Sequence, residues 1–107
     1  MMTLPPAIAA YFKSAHDLPP EQLAAIFAED AQVHDEKQDY HGLDTIRQWR
    51  IAAYAATQFA ARPLALREEG AEFLVTAEVS GTFPGSPIML AHRFVLKDGR
   101  ITDLEIG

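Results

Sequence analysis

Three side chains in this sequence have the type and the setting for proton chemistry: Asp35, Tyr11 and His92. Asp35 closes the alternating run Ala31–Asp35, in which Ala31, Val33 and Asp35 share one strand face. A carboxylate on an apolar face must be paired, protonated or at work. An apolar cavity would raise its pKa and make it a useful proton shuttle. In water it would only end the strand or cap the polar turn that follows. Tyr11 lies on the apolar helical stripe Leu4, Ile8, Tyr11, Phe12 and Ala15. A buried phenol needs a partner, either a ligand oxygen or a backbone carbonyl or water. His92 shares a strand face with Ile88, Leu90, Phe94 and Leu96. It is either a core histidine satisfied by one hydrogen bond, or a donor and proton partner of Asp35. Burial would lower its pKa and a neighbouring Asp35 would raise it, so the sign reports whether the two meet.

Trp49 and Tyr54, with Phe27, Val33, Leu90 and Phe94, are the apolar side chains read as the wall of a ligand cavity. Core packing is the plainer alternative for the aromatic ones. His34, Glu36 and His41 stand near Asp35, but alternation sends His34 and Asp35 to opposite faces, so no metal site is read there. The sequence has no Gly-rich phosphate loop, Gly-x-Ser-x-Gly elbow or basic aromatic patch, and no cofactor is implied.

The elements that must position these residues follow from turn chemistry and period. Pro5-Pro6 opens a first helix, which stops near His16-Asp17 because Pro19 restricts Leu18. Pro19-Pro20-Glu21 opens a second, with Leu23, Ile26 and Phe27 as its apolar face. A third runs from about Gly42 to Ala56, with Leu43, Ile46, Trp49 and Ala53 on one side. Beyond Phe59 the period becomes two. Strands are predicted over Pro63–Arg67, Ala71–Phe83, Ile88–Leu96 and Ile101–Ile106, with turns at Glu69-Gly70, Pro84–Pro87 and Lys97–Gly99. Helices first and an antiparallel meander second predict an α+β fold with the helices on one side of a curved sheet. The strand Ile88–Leu96 carries Met89, Ala91 and Val95 on its second face, with Arg93 the exception. One face must meet the helices, and the other suits a second copy of the chain, so a homodimer is expected.

A length of 107 residues implies one domain, and a hydrophobic content of 49% can fill its core. With no cysteine, disulfides, thiolate chemistry and Cys-based zinc sites are excluded. A net charge of −6 disfavours nucleic acid and anionic membranes as partners. Pro5 and Pro6 interrupt the first apolar run, no basic segment precedes it, and no run is long enough to span a bilayer. A soluble cytoplasmic protein is the expectation.

Phe-Ala-Glu-Asp-Ala at 27–31, Val-His-Asp at 33–35 and Tyr-His-Gly at 40–42 together resemble the nuclear transport factor 2-like superfamily, in its SnoaL-like and ketosteroid isomerase-like branch. The resemblance runs from about Leu4 to Ile106. It implies a single domain over 1–107 with a cone-shaped fold, three N-terminal helices packed on a strongly curved, mostly antiparallel sheet, and dimers through the outer sheet face. In ketosteroid isomerases the Asp of the matching Val-x-Asp strand is the general base, which points to Asp35. A first-helix Tyr there donates to the developing enolate oxygen, which points to Tyr11. A second, protonated acid of those isomerases falls where this sequence has Leu90, so that dienolate site is incomplete and His92, two residues on, is the candidate to replace it. The resemblance implies a pocket for an apolar carbonyl-bearing or polyketide-like metabolite, with acid–base isomerase, cyclase or lyase chemistry through Asp35. The alternatives are a non-catalytic binder of an apolar metabolite or a dimeric scaffold module.

Overall fold

Prolines set where the first two helices begin. The computed structural model describes residues 3–107. In it α1 (Pro6–Lys13) and α2 (Pro20–Leu23) each start on a proline and follow a second one, Pro5 or Pro19. A missing N–H costs nothing in a first turn. α2 is one turn long and stops short of the predicted end at Phe27, because Phe27 already belongs to the sheet. It pairs with Ile101, whose N–H reaches the Ile26 carbonyl at 2.8 Å. α3 (Leu43–Thr57) starts after Gly42, which sits at φ 89°, a conformation that favours glycine, and ends at Gln58 in the left-handed region.

Six strands form one sheet: β1 (Phe27–Asp35), β2 (Gln38–His41), β3 (Ala60–Glu69), β4 (Glu72–Ser80), β5 (Ile88–Lys97) and β6 (Arg100–Ile106). Their order is β2-β1-β6-β5-β4-β3. Every neighbouring pair is antiparallel except β1 and β6, which run parallel. The α+β class and the four C-terminal strands agree with the sequence reading. Three features differ. The segment after Asp35 is a hairpin rather than a plain polar turn, since β2 folds back on β1 with Asp35 opposite Gln38. β2 escapes a search for apolar alternation because it is a polar edge strand, with only Tyr40 half-buried. The strand read over Ala31–Asp35 is longer, Phe27–Asp35, and joins the expected meander through a parallel pair with β6. The sheet is also open, with β2 and β3 as its two edges, so it is not a closed barrel.

All three helices and the inward face of the sheet share one core. Ile8, Leu23 and Ile46 from the helices meet Phe27, Val33, Val75, Phe94, Ile101 and Leu104 from the strands, each essentially removed from water. The opposite face is polar. Arg62 pairs with Glu78 at 3.0 Å, and Arg93 lies between Glu72 at 3.7 Å and Glu105 at 3.8 Å. Met89 is the large apolar side chain standing out there, at 57% exposure. The second face of β5, read from sequence as apolar, is therefore laced with charge by its neighbours.

The β1–β2 turn bears directly on the site, because it follows Asp35. Glu36 and Lys37 both have positive φ, 52° and 66°. Such a mirror-image turn matches strand twist but is ordinarily made from Asn and Gly. Two side-chain-bearing residues in the left-handed region cost roughly 1–2 kcal/mol each. Lys37→Gly should therefore stabilise the fold by about 1 kcal/mol in urea denaturation. A loss of stability would show that this turn is not strained.

Candidate functional site

α3 packs across β1 and β2 and brings its buried residues Ile46, Trp49 and Arg50 over the end of the hairpin. The Trp49 indole N–H donates to the Asp35 carboxylate at 3.1 Å. The Tyr40 ring, from β2, lies 5.7 Å from that indole. Asp35 is half-buried. Burial raises its pKa, the Trp49 bond and the Glu36 backbone N–H pull it down, and the Glu36 carboxylate adds to the rise. The carboxylate is thus fixed in direction while remaining a stronger base than one in water.

Between α1, α3 and the inward side of β4 and β5 lies a cavity of about 960 Å³, large enough for a drug-sized ligand. Asp35, Tyr11, His92, Trp49, Tyr54 and Leu90 line it. Phe59, Val79, Phe83 and Ile88 add apolar surface. Tyr54 also stacks on His16 at 3.9 Å. The other three residues assigned to the wall from sequence, Phe27, Val33 and Phe94, are not on it. They are fully buried in the core with Ile46 and Leu104. Val33 has the parity of Asp35 but lies two residues further inside the sheet, where packing has closed over it.

Tyr11 is held by the edges of Phe12, Phe27 and Phe94 at centroid distances of 5.2, 6.0 and 5.6 Å. Burial pushes its phenol up to about 12, the nearby Arg50 guanidinium lowers it slightly and the Asp35 charge raises it. At physiological pH it is therefore an O–H donor. His92 is buried between Val75 and Ile106 on the neighbouring strands. Its Nδ1 lies 3.3 Å from the Leu90 carbonyl, which accepts from the Nδ1–H tautomer and leaves Nε2 as an acceptor. Burial lowers its pKa to about 4, so the ring is neutral.

The expected meeting of His92 with Asp35 does not occur. β6 runs between their strands, pairing with β1 through Val33–Leu104 and His34–Glu105 and with β5 through Ile106–His92. The strands that carry the two groups are two spacings apart, roughly 10 Å between backbones. The downward shift of His92 has the sign of burial alone. His34 instead pairs with Asp39 on the exposed hairpin, and this partner raises its pKa. His41 lies on β2, exposed and away from the cavity.

Arg50 is the residue that sequence reasoning missed. It is only 6% exposed and lines the cavity. Its Nη2 donates to Ser14 Oγ at 3.2 Å and, at 3.5 Å, to the Ala15 carbonyl. Its guanidinium lies 4.9 Å over the Tyr11 ring. Its Nη1 is buried without a partner among the described residues. A signal did exist. Arg50 is four residues after Ile46 and three before Ala53, so it sits within the apolar stripe of its helix, where a charge has no ordinary place.

The buried histidine has a measurable consequence. Its folded pKa lies below the ordinary 6.5, so the unfolded chain takes the proton first. Its contribution to stability should be complete above pH 6.5 and lost as pH falls toward about 4, by up to about 3 kcal/mol. An NMR titration should place the His92 midpoint near 4, and His92→Phe should flatten the acid limb of the stability profile. A midpoint at or above 6.5 would mean that a carboxylate reaches the ring after all.

Comparison with known proteins places this geometry in a family. The SnoaL-like domain profile matches residues 8–104. A Sinorhizobium meliloti structure, provisionally described as a polyketide cyclase, is 42% identical, with a TM-score of 0.88 over 97% of this chain and 95% of that one. A Catenulispora acidiphila protein of ketosteroid isomerase-like fold, in complex with trimethylamine, is 19% identical, with a TM-score of 0.79 over 98% of this chain and 86% of that one. TerC, co-crystallised with polyporic acid, is 18% identical, with a TM-score of 0.76 over 95% of this chain and 88% of that one. No curated protein matches. A family match across nearly the whole chain, on a sheet and helices arranged as in these structures, makes this protein a member of the SnoaL-like domain family, within the nuclear transport factor 2-like superfamily.

Proposed function

We propose that the cavity receives an apolar, carbonyl-bearing small molecule and that Asp35 moves a proton on it. One observation carries this reading: a half-buried carboxylate, its pKa raised by burial, held by an indole N–H at the wall of a largely apolar cavity. Asp35 takes a proton from the carbon next to the carbonyl. Tyr11, kept protonated by burial, donates to the oxygen on which charge develops. Return of the proton elsewhere on the substrate is an isomerisation, and attack of the enolate on a second carbonyl is a cyclisation. The 42% identical Sinorhizobium relative, provisionally a polyketide cyclase, supports this class of chemistry. His92 has its Nδ1 turned to Leu90, so its Nε2 suits a substrate hydroxyl rather than an enolate. It does not replace the second acid of ketosteroid isomerases.

The separation of Asp35 from His92 favours a second reading, a non-catalytic binder in which Asp35 is only an anchor. Proton exchange on β-tetralone in heavy water distinguishes the two. The protein should accelerate exchange next to the carbonyl, and Asp35→Asn should slow it by roughly a hundredfold or more. The variant should fold with equal or greater stability above the raised pKa, because a desolvated charge is gone. Binding without accelerated exchange would leave the binder, and an unaltered rate in Asp35→Asn would remove the shuttle.

The same proposal includes a homodimer through the outer sheet face, with Met89 at one end of β5 and half-buried Leu74 and Val95 toward the other. Light scattering at micromolar concentration should report a dimer that Met89→Glu dissociates. A wild-type monomer would end this part of the reading.

A further inference from the structure

Arg50 is a cation in the wrong place for a purely structural residue. The chain carries a net charge of −6, and the ion pairs among the described residues lie on exposed side chains without involving Arg50. An arginine stays protonated even when buried, so the cavity wall holds a positive charge that no carboxylate pairs with among the described residues. Burying such a charge is expensive unless it is paired. Two of its five N–H donors are used: Nη2 ties the segment after α1 through Ser14 and Ala15. The Tyr11 ring beneath the guanidinium fixes its plane. Nη1, with two more, is buried and unmatched in a residue 6% exposed that lines the cavity. If Arg50 only tied that segment, Nη2 would suffice.

We propose that Arg50 is the anchor for an ionised carboxyl group, so that the ligand of this cavity is an apolar carboxylate rather than a neutral molecule. This rests on the reading of the cavity as a small-molecule site and narrows the substrate class. A carboxylate accepts from a guanidinium through two oxygens, and a small opening of the side chains that cover Nη1 lets it engage that nitrogen while Nη2 keeps its present bonds. It also neutralises the charge that the cavity wall leaves open. Asp35 is held by the Trp49 indole and forms no ion pair with Arg50 among the described residues, so the guanidinium stays open to an anion. A ligand anchored at Arg50 lies over Tyr11 with its body directed along the cavity. Asp35, in turn, repels a second anionic group from the other end and leaves that end to a neutral carbonyl.

Cyclohexylacetate and cyclohexylacetamide test this, since they share a body and differ in charge. Binding can be followed through the fluorescence of Trp49, the chain's one tryptophan and part of the cavity wall. The carboxylate should bind at least about tenfold tighter than the amide, equivalent to about 1.4 kcal/mol. Arg50→Gln should remove that preference, and Arg50→Lys, which keeps the charge without the fork, should keep part of it. In the wild-type protein the side-chain nitrogen resonances of Arg50 should move with the carboxylate and stay still with the amide, a readout that does not depend on any variant folding. Equal binding of both probes, a preference that survives Arg50→Gln, or a motionless Arg50 resonance would each overturn the assignment while leaving the pocket reading in place. Failure of both probes to bind would overturn the pocket reading and this one together.

Discussion

Burial of the Ile46–Trp49–Arg50 face of α3 against the sheet is the constraint on which the site depends. A helix presents residues three and four apart on one side, so Ile46, Trp49 and Arg50 cannot be buried separately. Ile46 disappears into the core and secures the helix. Trp49 reaches the hairpin end and orients Asp35, while Arg50 turns toward Tyr11 and the segment after α1. The hydrophobic gain at Ile46 and Trp49 thereby brings a charge inside with them. Stability and a polar cavity wall come from the same three residues of α3.

The low-dielectric setting then sorts the polar groups by charge. Tyr11 and His92 are both driven to their neutral forms, one with a pKa near 12 and the other near 4. Asp35 keeps contact with water and an indole N–H, so its carboxylate is less strongly penalised. Arg50 cannot shed its proton at any accessible pH. Tyr11, His92, Asp35 and Arg50 therefore give the cavity a donor phenol, an acceptor imidazole, a carboxylate and a cation, beside further polar side chains such as His16, Glu36 and Tyr54. Such a set can orient a molecule having an apolar body and oxygen functions at separate points.

The two faces of the sheet have divided the work. The inward face supplies core and cavity, whereas the outward face is tied by Arg62–Glu78 and by Arg93 between two glutamates. Exposed pairs of this sort add little stability. They do keep an open sheet soluble and discourage indiscriminate pairing of apolar faces. Met89 interrupts that charged surface, which narrows any contact between copies to a small region of β4 and β5.

By itself the sequence determined what local physics controls. Paired prolines marked the starts of α1 and α2, the change to period two marked β3 to β6, and parity put Asp35 and His92 on the inward faces of their strands. The family was legible too, in Phe27–Ala31, Val33–Asp35 and Tyr40–Gly42, because those residues serve one continuous hairpin and helix entry. Other features depended on partners far away in the chain. β2 is a strand only because β1 is beside it, and the sheet order puts β6 between the strands of Asp35 and His92. Phe27, Val33 and Phe94 are core rather than cavity wall because depth, unlike parity, is set by what packs above. Arg50 has the composition of a surface residue and the position of a core one. Only the tertiary structure decided between them, since burial of a charge depends on how much apolar surface its neighbours bury with it.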